Sequence, residues 1–277
     1  MELVVTILAD NQVDRGDGLL AEHGFCLLVA GDSQVLFDTG QTDVCLRNAS
    51  RLGVDLSDVK TVVLSHGHYD HGGGLAALTS HLGKLDVYLH PAAFAAKYAR
   101  CPGSAEDRHV GLRYDADTLT RMGATVHAEA GVQELGPGLL ITGEIPRATP
   151  FEEAARDFWI RENDRVYPDP LQDDQALVVR TAEGLVVLLG CAHAGVINTL
   201  NHAVKLTGDE RIRAVVGGLH LATASPERIE QTVAALREMG VGQVVACHCT
   251  GFEARMRLHA AFGDQFVNGT VGLRLTF

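Results

Sequence analysis

Six consecutive residues constrain this chain more than any other feature: His66-Gly67-His68-Tyr69-Asp70-His71, placed directly after the apolar run of Thr61 to Ser65. A helix would scatter these side chains around its axis. A tight loop containing Gly67 can instead turn three imidazoles and one carboxylate inward together. Imidazole nitrogen and carboxylate oxygen suit a borderline cation such as zinc. The alternative is a polar loop with chance histidines, but the chain has only 13 histidines in 277 residues, which makes so dense a run improbable by chance. Four donors in one loop are too many for one ion that keeps an open position, and about right for half of each of two. Ions about 3.5–4 Å apart can bridge a hydroxide and clamp attacking and leaving oxygens together.

The flanking pattern says where such a loop would sit. Leu3 to Ala9 and Phe25 to Ala30 read as strands around a polar loop, and after the turn Gly31-Asp32-Ser33 the chain returns through Gln34 to Phe37, ending at Asp38-Thr39-Gly40. Cys45 to Leu52 reads as a helix closed by Gly53. Thr61 to Ser65 is a strand apolar enough to be buried on both faces, followed by a helix over Gly72 to Leu82 and a strand over Leu85 to Leu89. From Ala176 the alternation resumes. Strands Ala176 to Arg180 and Leu185 to Leu189 flank the turn Ala182-Glu183-Gly184, and helix Ile197 to Leu206 and strand Arg213 to Val216 follow. Helix Pro226 to Met239 has Ser225 as its N-cap and Gly240 as its stop. Strand Gln243 to Ala246 leads into Cys247-His248-Cys249-Thr250-Gly251, and Gly272 to Phe277 closes the sheet. Two β-rich halves, each passing into β/α units, predict an α/β (α+β) chain folded as a four-layer αββα sandwich, one domain over residues 1–277, with functional loops along one edge.

Residues 92–171 interrupt that order. They carry Arg100, Arg108, Arg113, Arg147, Arg156, Arg161 and Arg165 among acids, with strands expected only at Val126 to Ala128 and Leu139 to Thr142. Pro150 to Pro170, with Phe158, Trp159 and Tyr167, shows no clear period. It is expected to be an excursion over the active-site face, a lid or specificity region; a surface loop without function is the alternative.

Charge and composition narrow the partners. A formal net charge of -12 argues against a nucleic-acid backbone binder, because phosphates would be repelled. Bound divalent cations would reverse the local field and let a small anionic substrate approach. The six cysteines (Cys26, Cys45, Cys101, Cys191, Cys247, Cys249) form no compact disulfide framework. Met1 to Asp10 lacks the basic start of a signal peptide, and no apolar run approaches the roughly 20 residues needed to cross a bilayer. A soluble, cytoplasmic protein is expected, without a membrane partner and compatible with a homo-oligomer.

The run His66-Gly67-His68-Tyr69-Asp70-His71 resembles the HxHxDH signature of the metallo-β-lactamase superfamily, and Asp38 after its apolar strand resembles that superfamily's first motif. A narrower resemblance rests on Glu22-His23-Gly24, Phe37-Asp38-Thr39-Gly40, Leu64 to His71, Gly190-Cys191-Ala192-His193, Gly217-Gly218-Leu219-His220-Leu221 and Cys247-His248-Cys249-Thr250-Gly251. These look like the dihydropteroate-synthase-like branch, named for archaeal members that join a dihydropterin diphosphate to an aminobenzene riboside phosphate. The resemblance implies the four-layer fold and two divalent metal ions, zinc first, with manganese or iron as alternatives. It gives His66 and His68 to one ion and Asp70 and His71 to the other, with His248 completing the second and His193 the first. Cys191 stands where the superfamily places a bridging acid, and Cys191 or Asp174 could substitute for His193. Asp38 is expected to orient a ligand rather than ligate.

The reaction implied is metal-dependent turnover of a small anionic substrate: hydrolysis of a phosphoester, thioester or lactone, or transfer of a dihydropterin from its diphosphate to an aromatic acceptor. Asp70 would hold the nucleophilic water as well as ligating, and His220 would contact substrate or donate a proton. Glu22, His23 and Arg147 are the expected substrate-binding residues, Arg147 through a phosphate. An iron-dependent oxygenase and a non-catalytic ligand sensor are the rivals on the same fold. His81, His90, His109, His127, His202 and His259 lack companions and are expected to be surface or packing residues.

Overall fold

The central strand of the second half, Gly184–Leu189, is apolar without interruption because it is covered on both faces. In Gly184–Leu189, the side chains of Leu185, Val187 and Leu189 pack with Leu200, Ile229, Leu236 and Leu258 of the flanking helices. Val186 and Leu188 point the other way, into a second core shared with Ile7, Leu27, Phe37 and Val63. The first-half strands do the same, with Leu8, Leu36 and Val62 facing Ala49, Leu75 and Leu78. Three apolar cores therefore separate four layers, helix, sheet, sheet and helix. Burial of this kind stabilises by about 25 cal/mol per Å² of apolar surface. The computed structural model describes residues 2–100, 107–153, 157–163 and 165–277; Cys101 and Arg156 lie outside these.

The first sheet has seven strands in the order Arg274–Thr276, Val4–Ala9, Cys26–Ala30, Gln34–Phe37, Thr61–Val63, Leu85–Leu89 and Ala124–Ala128. The second also has seven: Phe266–Asn268, Val244–Cys247, Ile212–Gly218, Gly184–Leu189, Ala176–Thr181, Leu139–Ile141 and Gln133–Gly136. Gln34–Phe37 and Thr61–Val63 are parallel, as are Gly184–Leu189, Ile212–Gly218 and Val244–Cys247. Their carboxyl ends deliver Asp38, His66, Cys191, His220 and His248 to the site. In open α/β sheets this is where ligands bind.

The described residues of 92–171 hold more regular structure than their sequence implies. Where Pro150 to Pro170 shows no period, the hairpin Phe158–Glu162 and Arg165–Pro168 forms. It joins Lys97–Arg100 and Asp107–His109 in a four-stranded sheet. Arg165–Pro168 is exposed along its whole length, so main-chain pairing rather than alternating burial defines this hairpin. A bridge between His68 and Gly111 ties this region to the histidine loop. The helix expected over Gly72 to Leu82 begins at Leu75. Tyr69–Gly72, expected within the loop, forms a single helical turn, so Asp70 and His71 sit on that turn rather than in irregular backbone. Helices Ala116–Arg121 and Phe252–Phe262 were not anticipated. Among the described residues, no helix is long and apolar enough to cross a membrane.

Candidate metal centre

Four non-glycine residues at the strand ends adopt left-handed backbone conformations: Asp38 (φ 61°), Ala192 (φ 55°), His220 (φ 48°) and His248 (φ 46°). Each such residue costs about 1–3 kcal/mol, a strain that gathers at functional sites. Here it turns each chain segment sharply as it leaves its strand.

One donor set comprises His66, His68 and His193, each offering one ring nitrogen, all within 4.8 Å of one another. His66 Nε2 and His68 Nδ1 face each other at 2.9 Å, and neither ring nitrogen of His193 has a hydrogen-bond partner. Burial holds His66 and His193 well below the usual imidazole range and takes His68 to about 3. Burial thus favours the uncharged rings, and one nitrogen of each gathers in a small shared volume. The loop that presents them is pinned twice. Gly67 lies so close to the Ala93 carbonyl that a Cβ would collide with it, and its N–H donates to Asp173 Oδ2 at 2.7 Å.

A second set adjoins the first. Asp70 Oδ2 lies 3.4 Å from His248 Nε2 and 3.8 Å from His71 Nε2, and the two imidazole nitrogens are 3.2 Å apart. His23 Nε2 reaches the same carboxylate oxygen at 3.2 Å, and this contact raises the His23 pKa. Burial disfavours charge on both Asp70 and His71. Neighbouring imidazoles nevertheless hold Asp70 well below the carboxylate range, while Asp38 and Asp70 raise His71 to about 9. The far sides of the rings are held as metal-ligating histidines are. His71 Nδ1 meets Asp38 Oδ2 at 2.7 Å, and His248 Nδ1 meets Asn11 Oδ1 at 2.9 Å. Asp38 also accepts from Ser65 N at 2.7 Å and Ser65 Oγ at 2.8 Å. Asp38→Asn is therefore expected to weaken cation affinity by about 10–100-fold with little change in fold, measurable by competition with a chromophoric chelator.

Cys191 Sγ sits between the sets, 3.3 Å from His71 Nε2. It also groups with His193 and His220, and with His248 and Cys249, in each case within 4.8 Å. Burial raises the Cys191 thiol; it also opposes ionisation of Cys249, but contacts with Cys191, His220 and His248 outweigh it and lower that thiol. The His220 ring lies 4.2 Å from that of His193. Phe158 walls this side, 4.9 Å from the His68 ring and 5.4 Å from that of His193. Buried imidazoles, a carboxylate and a thiol at this spacing are donors that a divalent metal could take.

Three sequence-predicted residues have structural partners of their own. Arg147, expected on a substrate phosphate, donates to the carbonyls of His193 (2.8 Å) and Pro170 (3.0 Å), so its guanidinium braces the His193 loop. Glu22, also expected at the substrate, accepts from Gln41 N at 2.9 Å and Thr42 Oγ1 at 2.6 Å and staples the turn after Asp38. Asp174 is in none of the donor groups among the described residues; its Oδ2 accepts from Ala194 N at 2.7 Å. Burial raises its pKa to about 7.

Sequence reasoning missed Asp10, Asn11, Ser65, Asp173 and Phe158. Asp10 Oδ2 accepts from His248 N at 2.7 Å, and burial raises its pKa to about 6. Its position at the end of an apolar strand, like that of Asp38, was the available signal. Of the companionless histidines, His127 stacks on Tyr88 and His90 caps a short turn, as packing residues do.

Comparison with known proteins places this geometry. Residues 20–241 match the metallo-beta-lactamase superfamily. The 7,8-dihydropterin-6-methyl-4-(β-D-ribofuranosyl)-aminobenzene-5'-phosphate synthase of Methanocaldococcus jannaschii is 30% identical over 271 residues, 94% of this chain and 91% of that protein. The crystal structure of Tm1679, described as a metal-dependent hydrolase of the β-lactamase superfamily, superposes with a TM-score of 0.85 at 36% identity, covering 99% of this chain and 98% of that one. Zinc-bound PqqB from Methylobacterium extorquens shares the fold at 14% identity, with a TM-score of 0.57 over 98% of this chain and 99% of that one. By sequence, fold and converging donors, the chain belongs to the metallo-β-lactamase superfamily, as one of its metal-dependent enzymes.

Proposed function

We propose that this protein is a dinuclear zinc enzyme of the cytoplasm that joins a dihydropterin, delivered as its diphosphate, to an aminobenzene riboside phosphate. The observation that carries the dinuclear reading is the pair of adjoining donor sets, His66/His68/His193 and Asp70/His71/His248, with the Cys191 thiol between them. The choice of transfer draws on the near full-length match to the Methanocaldococcus jannaschii synthase. A reducing cytoplasm agrees with the free thiols of Cys26, Cys45, Cys191, Cys247 and Cys249.

Bound zinc ions supply Lewis acidity to the leaving phosphate oxygens and lower the pKa of a bound water to about 7. The protein's own residues do the rest. In transfer, the arylamine nitrogen attacks the pterin methylene, the bond from that carbon to the diphosphate oxygen breaks, and the amine surrenders a proton. His220, whose Nδ1 has no partner and which stands beside His193, is placed to take that proton. His23, exposed at the rim and joined to Asp70, is placed to meet an anionic group. Phe158 keeps water from the His68 and His193 side.

Hydrolysis of a phosphoester, thioester or lactone is the second reading, favoured by the description of Tm1679 as a hydrolase. The zinc-loaded protein should be incubated with dihydropterin diphosphate with and without aminobenzene riboside phosphate, and separately with a phosphodiester, thioester and lactone panel. Transfer predicts an acceptor-dependent joined product, detected by mass spectrometry with one diphosphate released per product. Release of hydroxymethyl dihydropterin regardless of acceptor, or turnover confined to the panel, would establish hydrolysis instead.

A further inference from the structure

We infer that Cys249 joins Cys191 as a thiolate donor to the second cation, giving the centre a two-sulfur edge that favours zinc over oxygen-preferring ions such as manganese; this rests on the dinuclear reading above. The two thiols come from strands that are not neighbours. Cys191 follows Gly184–Leu189, Cys249 follows Val244–Cys247, and Ile212–Gly218 runs between them. They meet because the intervening strand ends in glycine. A Cβ at Gly218 would come within 2.6 Å of Cys249 Sγ and 3.4 Å of Cys191 Cα, so any other residue there would push the thiol away.

The left-handed turn at His248 folds the chain back, so that Cys249 Sγ, Cys191 Sγ and a His248 ring nitrogen lie within 4.8 Å of one another. Cys249 Sγ stands 3.6 Å from the Cys191 carbonyl. The other described cysteines, Cys26, Cys45 and Cys247, are buried among apolar side chains and belong to none of the donor groups found among the described residues. Two thiolates and the Asp70 carboxylate would also offset most of the charge of two dications. Soft sulfur ligands select zinc, whereas manganese prefers an oxygen shell.

Two measurements on the full chain test this. The first is X-ray absorption at the zinc edge of the native zinc-loaded protein, which requires no variant. The expected result is a sulfur shell at about 2.3 Å that fits only with both thiols as donors. The second is cobalt substitution of the native protein, Cys249→Ser and Cys191→Ser. The native near-ultraviolet thiolate-to-cobalt charge-transfer band should fall by about half in each variant, with cobalt content unchanged in Cys249→Ser. A full-strength band in Cys249→Ser, or a native zinc shell accounted for by a single thiol, overturns the inference and leaves the dinuclear reading standing. Failure of the native protein to bind zinc or cobalt at all overturns both.

Discussion

Asp70→Asn is expected to lower kcat/KM by at least about 10³-fold, equivalent to about 4 kcal/mol of transition-state stabilisation. One oxygen, Asp70 Oδ2, lies within 4 Å of nitrogens from His23, His71 and His248. It is the sole carboxylate in either proposed donor set, so it adds to the two proposed thiolates an anionic oxygen that faces the second cation. Asparagine keeps the shape but offers a neutral oxygen and an amide N–H that would point at a cation or an imidazole. The variant should therefore retain one metal equivalent, held by His66, His68 and His193, and lose the other. Metal content by mass spectrometry should fall from about two ions to about one. Retention of both ions with activity within tenfold of the native enzyme would show that Asp70 neither ligates nor orients the nucleophile.

The convergence of the histidine loop was legible because its information is local. Six residues and a preceding apolar run suffice to place His66, His68, Asp70 and His71 in one bend. His193, His220 and His248 were legible at longer range, because each follows an apolar run and parallel strands deliver their carboxyl ends to one edge. What supports these converging side chains was not legible. Asp10, Asn11 and Asp173 lie 238, 237 and 106 residues from the groups they hold, and only the stacking of two sheets brings them there. Glu22 and Arg147, expected at the substrate, also have backbone partners that sequence does not reveal, because amides and carbonyls in turns need partners. Helix Phe252–Phe262 escaped notice because it breaks the usual pattern. Phe252 and Met256 are exposed, while Arg255 is buried with its guanidinium on the Gly269 carbonyl and the Gln12 and Asn268 side chains.

Lys97→Met should show how far the metal loop depends on a charge cluster that touches no proposed ligand. Lys97 is fully buried, with Nζ 2.7 Å from Asp169 Oδ2 and 2.9 Å from Asp173 Oδ1. Both carboxylates also hold backbone, Asp169 Oδ1 accepting from Leu171 N and Asp173 Oδ2 from Gly67 N. Burial alone would lower the lysine pKa, but the two aspartates outweigh it and raise it. Methionine fills the volume and leaves two carboxylates without a counter-charge, a loss of about 3–5 kcal/mol. For a chain of this size that corresponds to a fall in melting temperature of roughly 10 °C. Because Asp173 holds Gly67, the damage should reach the histidine loop, and cation affinity should drop along with stability. Saturating zinc, which binds only the folded form, should then restore part of the melting temperature by mass action. Neutralising the acids as well, in Lys97→Met with Asp169→Asn and Asp173→Asn, should recover stability more fully than it recovers cation affinity. The amides no longer need a counter-charge, but Gly67 loses the charged acceptor that aims His66 and His68. A melting temperature within about 2 °C of native in Lys97→Met would mean that water reaches and solvates the two aspartates, and that the loop stands without this clamp.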